Sequence, residues 1–117
     1  MSNENILSAF KKQLVAFIDE LIEQFPECVD FIIMRIFIND QSSIKNIIKL
    51  FIKDILPLKE LIQNRDDNFF LKTEFICYPK KPDFFKDFWF SNLLDNEDKK
   101  IIWKWMDVFV LLAQKYK

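Results

Sequence analysis

Residues 93–117, LLDNEDKKIIWKWMDVFVLLAQKYK, decide the fold. Asp95 can cap a helix here. Glu97 and Asp98 place negative charge in its first turn, where unpaired backbone amides and the positive end of the helix dipole favour it. Lys115 and Lys117 suit the opposite end. Between them Ile102, Trp105, Met106, Phe109, Leu112, Ala113 and Tyr116 recur at three- and four-residue spacing, and Ile101, Trp103, Val108 and Val110 widen the stripe on both sides. So wide an apolar stripe needs partners on more than one flank, so the other segments must pack around this helix.

Working outward, residues 3–25 read as a first helix with Ser2 as its cap. Leu7, Phe10, Leu14, Phe17, Ile18, Leu21 and Phe25 share one face, and Lys12, Asp19, Glu20 and Glu23 lie opposite. Pro26 stops it, because proline lacks an amide donor and disfavours helical geometry in its predecessor. Residues 27–39, ECVDFIIMRIFIN, are rich in β-branched side chains, yet Val29, Ile32, Ile33 and Ile36 fit helical spacing. A lone strand would leave its backbone groups unpaired, so the segment reads as a helix. Residues 39–43 form the turn, with Ser42 or Ser43 as the next cap.

The stripe Ile44, Ile47, Ile48, Phe51, Ile52 and Ile55 follows, with Lys45, Lys49 and Lys53 outside it. Pro57 predicts a kink or break near Leu56. Leu58, Leu61 and Ile62 resume the spacing, and the polar cluster 64–68 is a loop. Phe69, Phe70, Leu71, Phe75 and Ile76 form no regular pattern. Residues 78–82, YPKKP, are extended or turning. Asp83 can cap a short helix containing Phe84, Phe85, Phe88 and Trp89. The expected architecture is all-α: one domain, residues 1–117, built as a single compact bundle of five or six helices with the C-terminal helix at its centre.

Composition excludes more chemistry than it suggests. Half of the residues are hydrophobic and 14 of the 117 are Phe, far from the composition of a disordered chain. A net charge of −1 gives no global field toward nucleic acid or an anionic membrane. The absence of Gly excludes phosphate loops and dinucleotide fingerprints, and it leaves Asn, Asp and Pro to make the turns. With no His, neither Ser nor Cys has an imidazole to activate it. Cys28 and Cys77 alone complete no usual zinc site. They read as reduced core thiols, a single disulfide between them being the alternative. The polar start at residues 1–5 leads into a charged amphipathic stretch rather than a secretory signal. The longest uninterrupted apolar run, 108–113, is far short of a bilayer span. The expectation is a soluble, intracellular protein with no catalytic residues, cofactor, metal or small-molecule substrate.

Local clusters have bland readings beside sharper ones. Asp66 and Asp67 could begin a metal site, but adjacent carboxylates in an Asn-rich turn ordinarily brace the loop. Asp19, Glu20 and Glu23 sit on a polar face without a partner acid. The pairs Lys11–Lys12, Lys80–Lys81 and Lys99–Lys100 could meet phosphate beside Tyr78, Phe84 or Trp103, though acids flank each pair. The surplus is apolar. Phe88, Trp89 and Phe90 are consecutive and cannot all face inward on one helix, and Trp103 and Leu111 lie off the main stripe of the last helix. These five are the candidate protein-interaction residues, unless the last helix is surrounded on nearly every side.

Three segments also carry a resemblance: DELIEQFPE (19–27), IIKLFIKDILPLKELIQNRDDNFFL (47–71) and LDNEDKKIIWKWMDVFVLLAQKY (94–116). In this order they resemble a family of small helical proteins encoded by giant, nucleocytoplasmic large DNA viruses. The chain departs from that pattern at Arg65 and Asp66, where a Gly-Asp turn is commoner, and in residues 77–90. The resemblance implies a helical, non-enzymatic module acting through protein partners, including a second copy of itself, in the virion or the cytoplasm of the infected cell. The alternatives are a host-defence modulator that takes an amphipathic host helix into a groove, as Bcl-2-like proteins do, and a nucleic-acid-binding accessory protein.

Overall fold

The structure, a computed structural model, describes residues 2–41, 44–73, 81 and 83–116, with the backbone alone at 40 and 41. It is all-α. Helices α1 (Asn3–Gln24), α2 (Val29–Ile36), α3 (Ile44–Asp54), α4 (Lys59–Gln63), α5 (Asn68–Lys72), α6 (Phe84–Trp89) and α7 (Asn96–Lys115) follow one another. Counting α3 and α4 as one proline-interrupted helix, the described residues form six helices, within the expected five or six, although α5 forms where the sequence shows a loop and no regular pattern.

The long helices form where local signals agree. Ser2 caps α1 by accepting the Asn5 amide at 3.2 Å, and Ile6, Phe10, Leu14, Phe17, Ile18 and Leu21 are buried along one side. Asp95 and Asp98 make a reciprocal capping box at the start of α7: the Asp95 carboxylate accepts the Asp98 amide at 2.8 Å, and the Asp98 carboxylate accepts the Asp95 amide at 3.2 Å. On α3, Ile47, Ile48 and Phe51 face inward while Lys45, Lys49 and Lys53 face out. Pro57 breaks the helix as expected. The chain tightens into a 3-10 turn, Leu56–Leu58, before α4 begins.

Helix α7 lies at the centre. It packs against α1, α3, α4 and the proline turn, and its Trp103 ring meets Phe69 and Phe70 of α5 and Trp89 of α6. Phe109 is fully buried among Phe10, Phe17 and Phe51, with ring centroids at 5.7, 5.7 and 5.8 Å. Such tilted and edge-to-face pairs contribute about 0.5–1.5 kcal/mol each beyond the area they bury.

Three local expectations are corrected. Residues 39–41 of the turn drawn at 39–43 are helical: α2 continues through a π-helical turn, Phe37–Gln41, while Ile38 enters the core. Asp83 holds the N-cap position of α6, as expected, but its side chain makes no capping hydrogen bond; the carboxylate lies 3.6 Å from the Lys86 ammonium instead. Among the described residues, left-handed backbone falls to Arg65, at φ 52°, and not to Asn or Asp. The cap expected at Ser42 or Ser43, together with Phe75, Ile76, Cys77 and the 78–82 stretch apart from Lys81, lies outside the described residues.

Arg65 ends α4 in a Schellman arrangement, with the Asp66 amide on the Leu61 carbonyl at 2.8 Å and the Arg65 amide on the Ile62 carbonyl at 3.1 Å. An L-residue there costs about 1–2 kcal/mol. The side chain offsets this. Its guanidinium donates to the Ile62 carbonyl at 3.0 Å, forks onto both Asp107 carboxylate oxygens at 2.8 and 2.7 Å, and lies 5.8 Å from the centre of the Trp103 ring. Hydrogen bonding to Asp107, and then its charge, hold the Arg65 guanidinium above its ordinary range. Arg65→Ala keeps the backbone strain and loses the exposed ion pair and the cation–π contact, for a cost of about 1–2 kcal/mol in urea denaturation. Arg65→Gly, which relieves the strain, should cost less than Arg65→Ala; the reverse order would mean that the left-handed geometry is not what the side chain compensates.

Candidate protein-interaction surface

Of the five apolar residues singled out from sequence, three are core. Phe88, Trp89 and Trp103 are only 5%, 1% and 5% exposed, whereas Phe90 and Leu111 are about half exposed. The correction has a physical cause. Helix α6 is short and lies in a crevice walled by rings on both sides. Phe88 meets Phe25, Phe31 and Phe84. Trp89 stacks on Phe70 at 4.1 Å, and its indole N–H donates to Asp67 at 2.9 Å. Trp103 is buried because the central helix is surrounded on that flank too. Phe90 and Leu111 stay available, one just past α6 and the other near the far end of α7.

The larger exposed surface is on α2. Val29, Ile32, Ile33 and Ile36, the quartet whose spacing fits a helix, are 61%, 42%, 42% and 50% exposed. The core takes the opposite face instead, through Phe31, Met34 and Ile38. Both faces of α2 are apolar, so periodicity fits either orientation. Phe31 settles it by meeting Phe25, Phe84, Phe85 and Phe88, a set of ring contacts that no isoleucine could replace. Two ion pairs fasten the flanks of the helix: Arg35 to Asp19 of α1, and Asp30 to Lys81 at 3.3 Å. Phe31 and Met34 at three-residue spacing were the signal for this orientation.

Beside the α2 stripe lies an open groove of about 530 Å³ lined by Gln24, Phe25, Pro26, Glu27, Cys28, Val29, Asp30 and Leu93. It adjoins a narrow crevice between α1 and α7, which shares Gln24 and Phe25 with it and also contains Glu20, Asp98, Ile101 and Trp105. Farther along the same seam a second opening of about 260 Å³ is lined by Gln13, Ile101, Lys104, Trp105 and Val108. Burial, and then the charge of Asp30, push the Cys28 thiol up, so it is protonated at neutral pH and a poor nucleophile.

Several of the charged residues considered from sequence have structural partners. Glu20 accepts the Trp105 indole N–H at 2.8 Å, and Asp19 holds Arg35. Asp66 accepts the Asn68 amide, and Asp67 holds Trp89. Lys99 lies over the Trp89 ring at 5.1 Å, and Lys100 pairs with Glu97 at 3.3 Å. Among the described residues, no three His, Cys, Asp or Glu side chains converge on a metal-sized site, and no helix is long and apolar enough to cross a membrane. Comparison of the chain with protein-family models, curated proteins and solved structures finds no match, so the functional argument rests on the α2 stripe and the neighbouring groove.

Proposed function

We propose that this protein is a non-enzymatic helical interaction module that associates with a second copy of itself through the outward face of α2. The observation that carries the reading is the row Val29, Ile32, Ile33 and Ile36, four β-branched side chains at i, i+3, i+4 and i+7, all 42–61% exposed. One face meeting its own copy forms an isologous, self-limiting contact. Covering the exposed half of each side chain contributes about 1 kcal/mol, or roughly 8 kcal/mol for the two stripes together. That lies within the estimated cost of association, about 4–15 kcal/mol, so the dimer is a weak one that forms at high protein concentration. The setting, a large DNA virus with the protein in the particle or the infected cell, rests on the resemblance of residues 19–27, 47–71 and 94–116 alone.

Light scattering over a concentration series tests this reading. The mass should rise from 14.2 kDa toward twice that value, and Ile33→Asp should hold it at the monomer with an unchanged far-ultraviolet spectrum. A wild-type protein that stays monomeric at every concentration, or an Ile33→Asp variant that dimerises as well as wild type, refutes it.

The groove favours a second reading, capture of an amphipathic host helix. Phe25, Pro26, Cys28, Val29 and Leu93 give it an apolar lining of the kind such helices enter.

A further inference from the structure

The seam between α1 and α7 opens at both ends, and its charge is one-sided. We infer that this seam, with the groove at its α2 end, is a docking track for an amphipathic helix whose apolar stripe is flanked by Lys or Arg. The inference rests on the groove-capture reading and adds the track and the charge class of the occupant.

Shared lining residues place the two openings on one line: Ile101 and Trp105 join the far opening to the crevice, and Gln24 and Phe25 join the crevice to the groove, the crevice itself being a notch of about 10 Å³ that an occupant would lie across rather than enter. Along α1 the distance from Gln13 to Gln24 is roughly 16 Å, about three turns of a docked helix. Leu93, Val29, Phe25, Ile101, Trp105 and Val108 offer apolar contact along this length.

The rim is acidic. Glu20, Glu27, Asp30 and Asp98 line the track against one cation, Lys104. Glu20 and Asp98 are held in place by the Trp105 indole and the α7 cap, whereas Asp30 is paired with Lys81 and adds little net charge to the rim. Glu27 is exposed and makes no ion pair among the described residues. The end of α1 adds to the field. Its last turn contains no basic residue, so the partial negative charge of its terminal carbonyls is left uncompensated at the mouth of the groove. The start of α2, by contrast, is already offset by Asp30 in its first turn. A basic flank on the occupant would supply what α1 lacks, and an acidic flank would meet repulsion from Glu20, Glu27 and Asp98 at the groove end of the track.

The test uses two synthetic helical peptides with the same leucine stripe, one flanked by Lys and the other by Glu, titrated into the full chain with Trp105 emission and backbone amide shifts as readouts. The Lys-flanked peptide should bind about tenfold or more tightly than its twin at low salt, with the difference shrinking as salt is added. Shifts should concentrate at residues 25–30, Leu93 and 101–108. Glu27→Lys should narrow the difference, and Leu93→Asp should weaken the Lys-flanked peptide, both without altering the far-ultraviolet spectrum. Binding of both peptides in the seam with equal affinity overturns the charge assignment and leaves groove capture standing. Binding of neither, or shifts confined to other surfaces, overturns both. Repeating the titration on Ile33→Asp separates the track from self-association: retained binding supports a distinct surface, and lost binding assigns the effect to the α2 stripe and overturns the track.

Discussion

Phe109→Ala should lower stability by about 3–5 kcal/mol, a large share of the roughly 5–15 kcal/mol typical of a whole domain. The ring is fully buried on the central helix and touches aromatic rings on α1 and α3 as well as Trp105 on its own helix. Removing it forfeits transfer energy and opens a cavity that three helices border. They cannot close it together, because each is held by other contacts: α1 through Ile18 and Leu21, α3 through Ile48. For a chain of this length the loss corresponds to a fall in Tm of roughly 12–20 °C. Thermal unfolding followed by circular dichroism reads it directly. Leu111→Ala, on the same helix but half exposed, is the control and should stay within about 0.5 kcal/mol of wild type. Equal losses for the two variants would mean that α7 is not central.

The second large effect distinguishes the two faces of α2. Phe31→Ala should cost about 3–5 kcal/mol, whereas Ile33→Asp, two residues away, should cost only about 1–2 kcal/mol while abolishing self-association. Phe31 is fully buried among four other Phe rings, and Ile33 already meets solvent. Urea denaturation at low protein concentration, where the monomer prevails, measures both. If Ile33→Asp proved the more damaging, α2 would be turned the other way and the proposed surface would be core.

The same helix shows where sequence reading succeeds and where it fails. Helices α1 and α3 have one apolar face and one charged face, so the 3.6-residue period orients them before any tertiary contact is known. The α2 segment has apolar side chains nearly all round, and periodicity alone cannot choose between Val29–Ile32–Ile33–Ile36 and Phe31–Met34–Ile38. The choice depends on the rings of Phe25, Phe84, Phe85 and Phe88, three of which arrive more than 50 positions later in the chain. Arg65 is hidden for a similar reason. A left-handed arginine is unfavourable locally, and its compensation comes from Asp107 and Trp103 on another helix. The groove is beyond any linear pattern, since it exists only where Leu93 comes up beside residues 24–30. The consecutive Phe88, Trp89 and Phe90 misled because a short helix between two ring clusters buries two adjacent side chains on different neighbours.

The three indoles divide cleanly by their access to water. Trp89 and Trp103 are enclosed against each other at 5.0 Å, while Trp105 is only partly buried on the seam, with its N–H tied to Glu20. The chain thus carries two optical probes of its interior and one of its surface, the latter on the face where an occupant would dock. Light absorbed by the enclosed pair reports whether the fold is intact, and light from the third reports what has come to rest upon it.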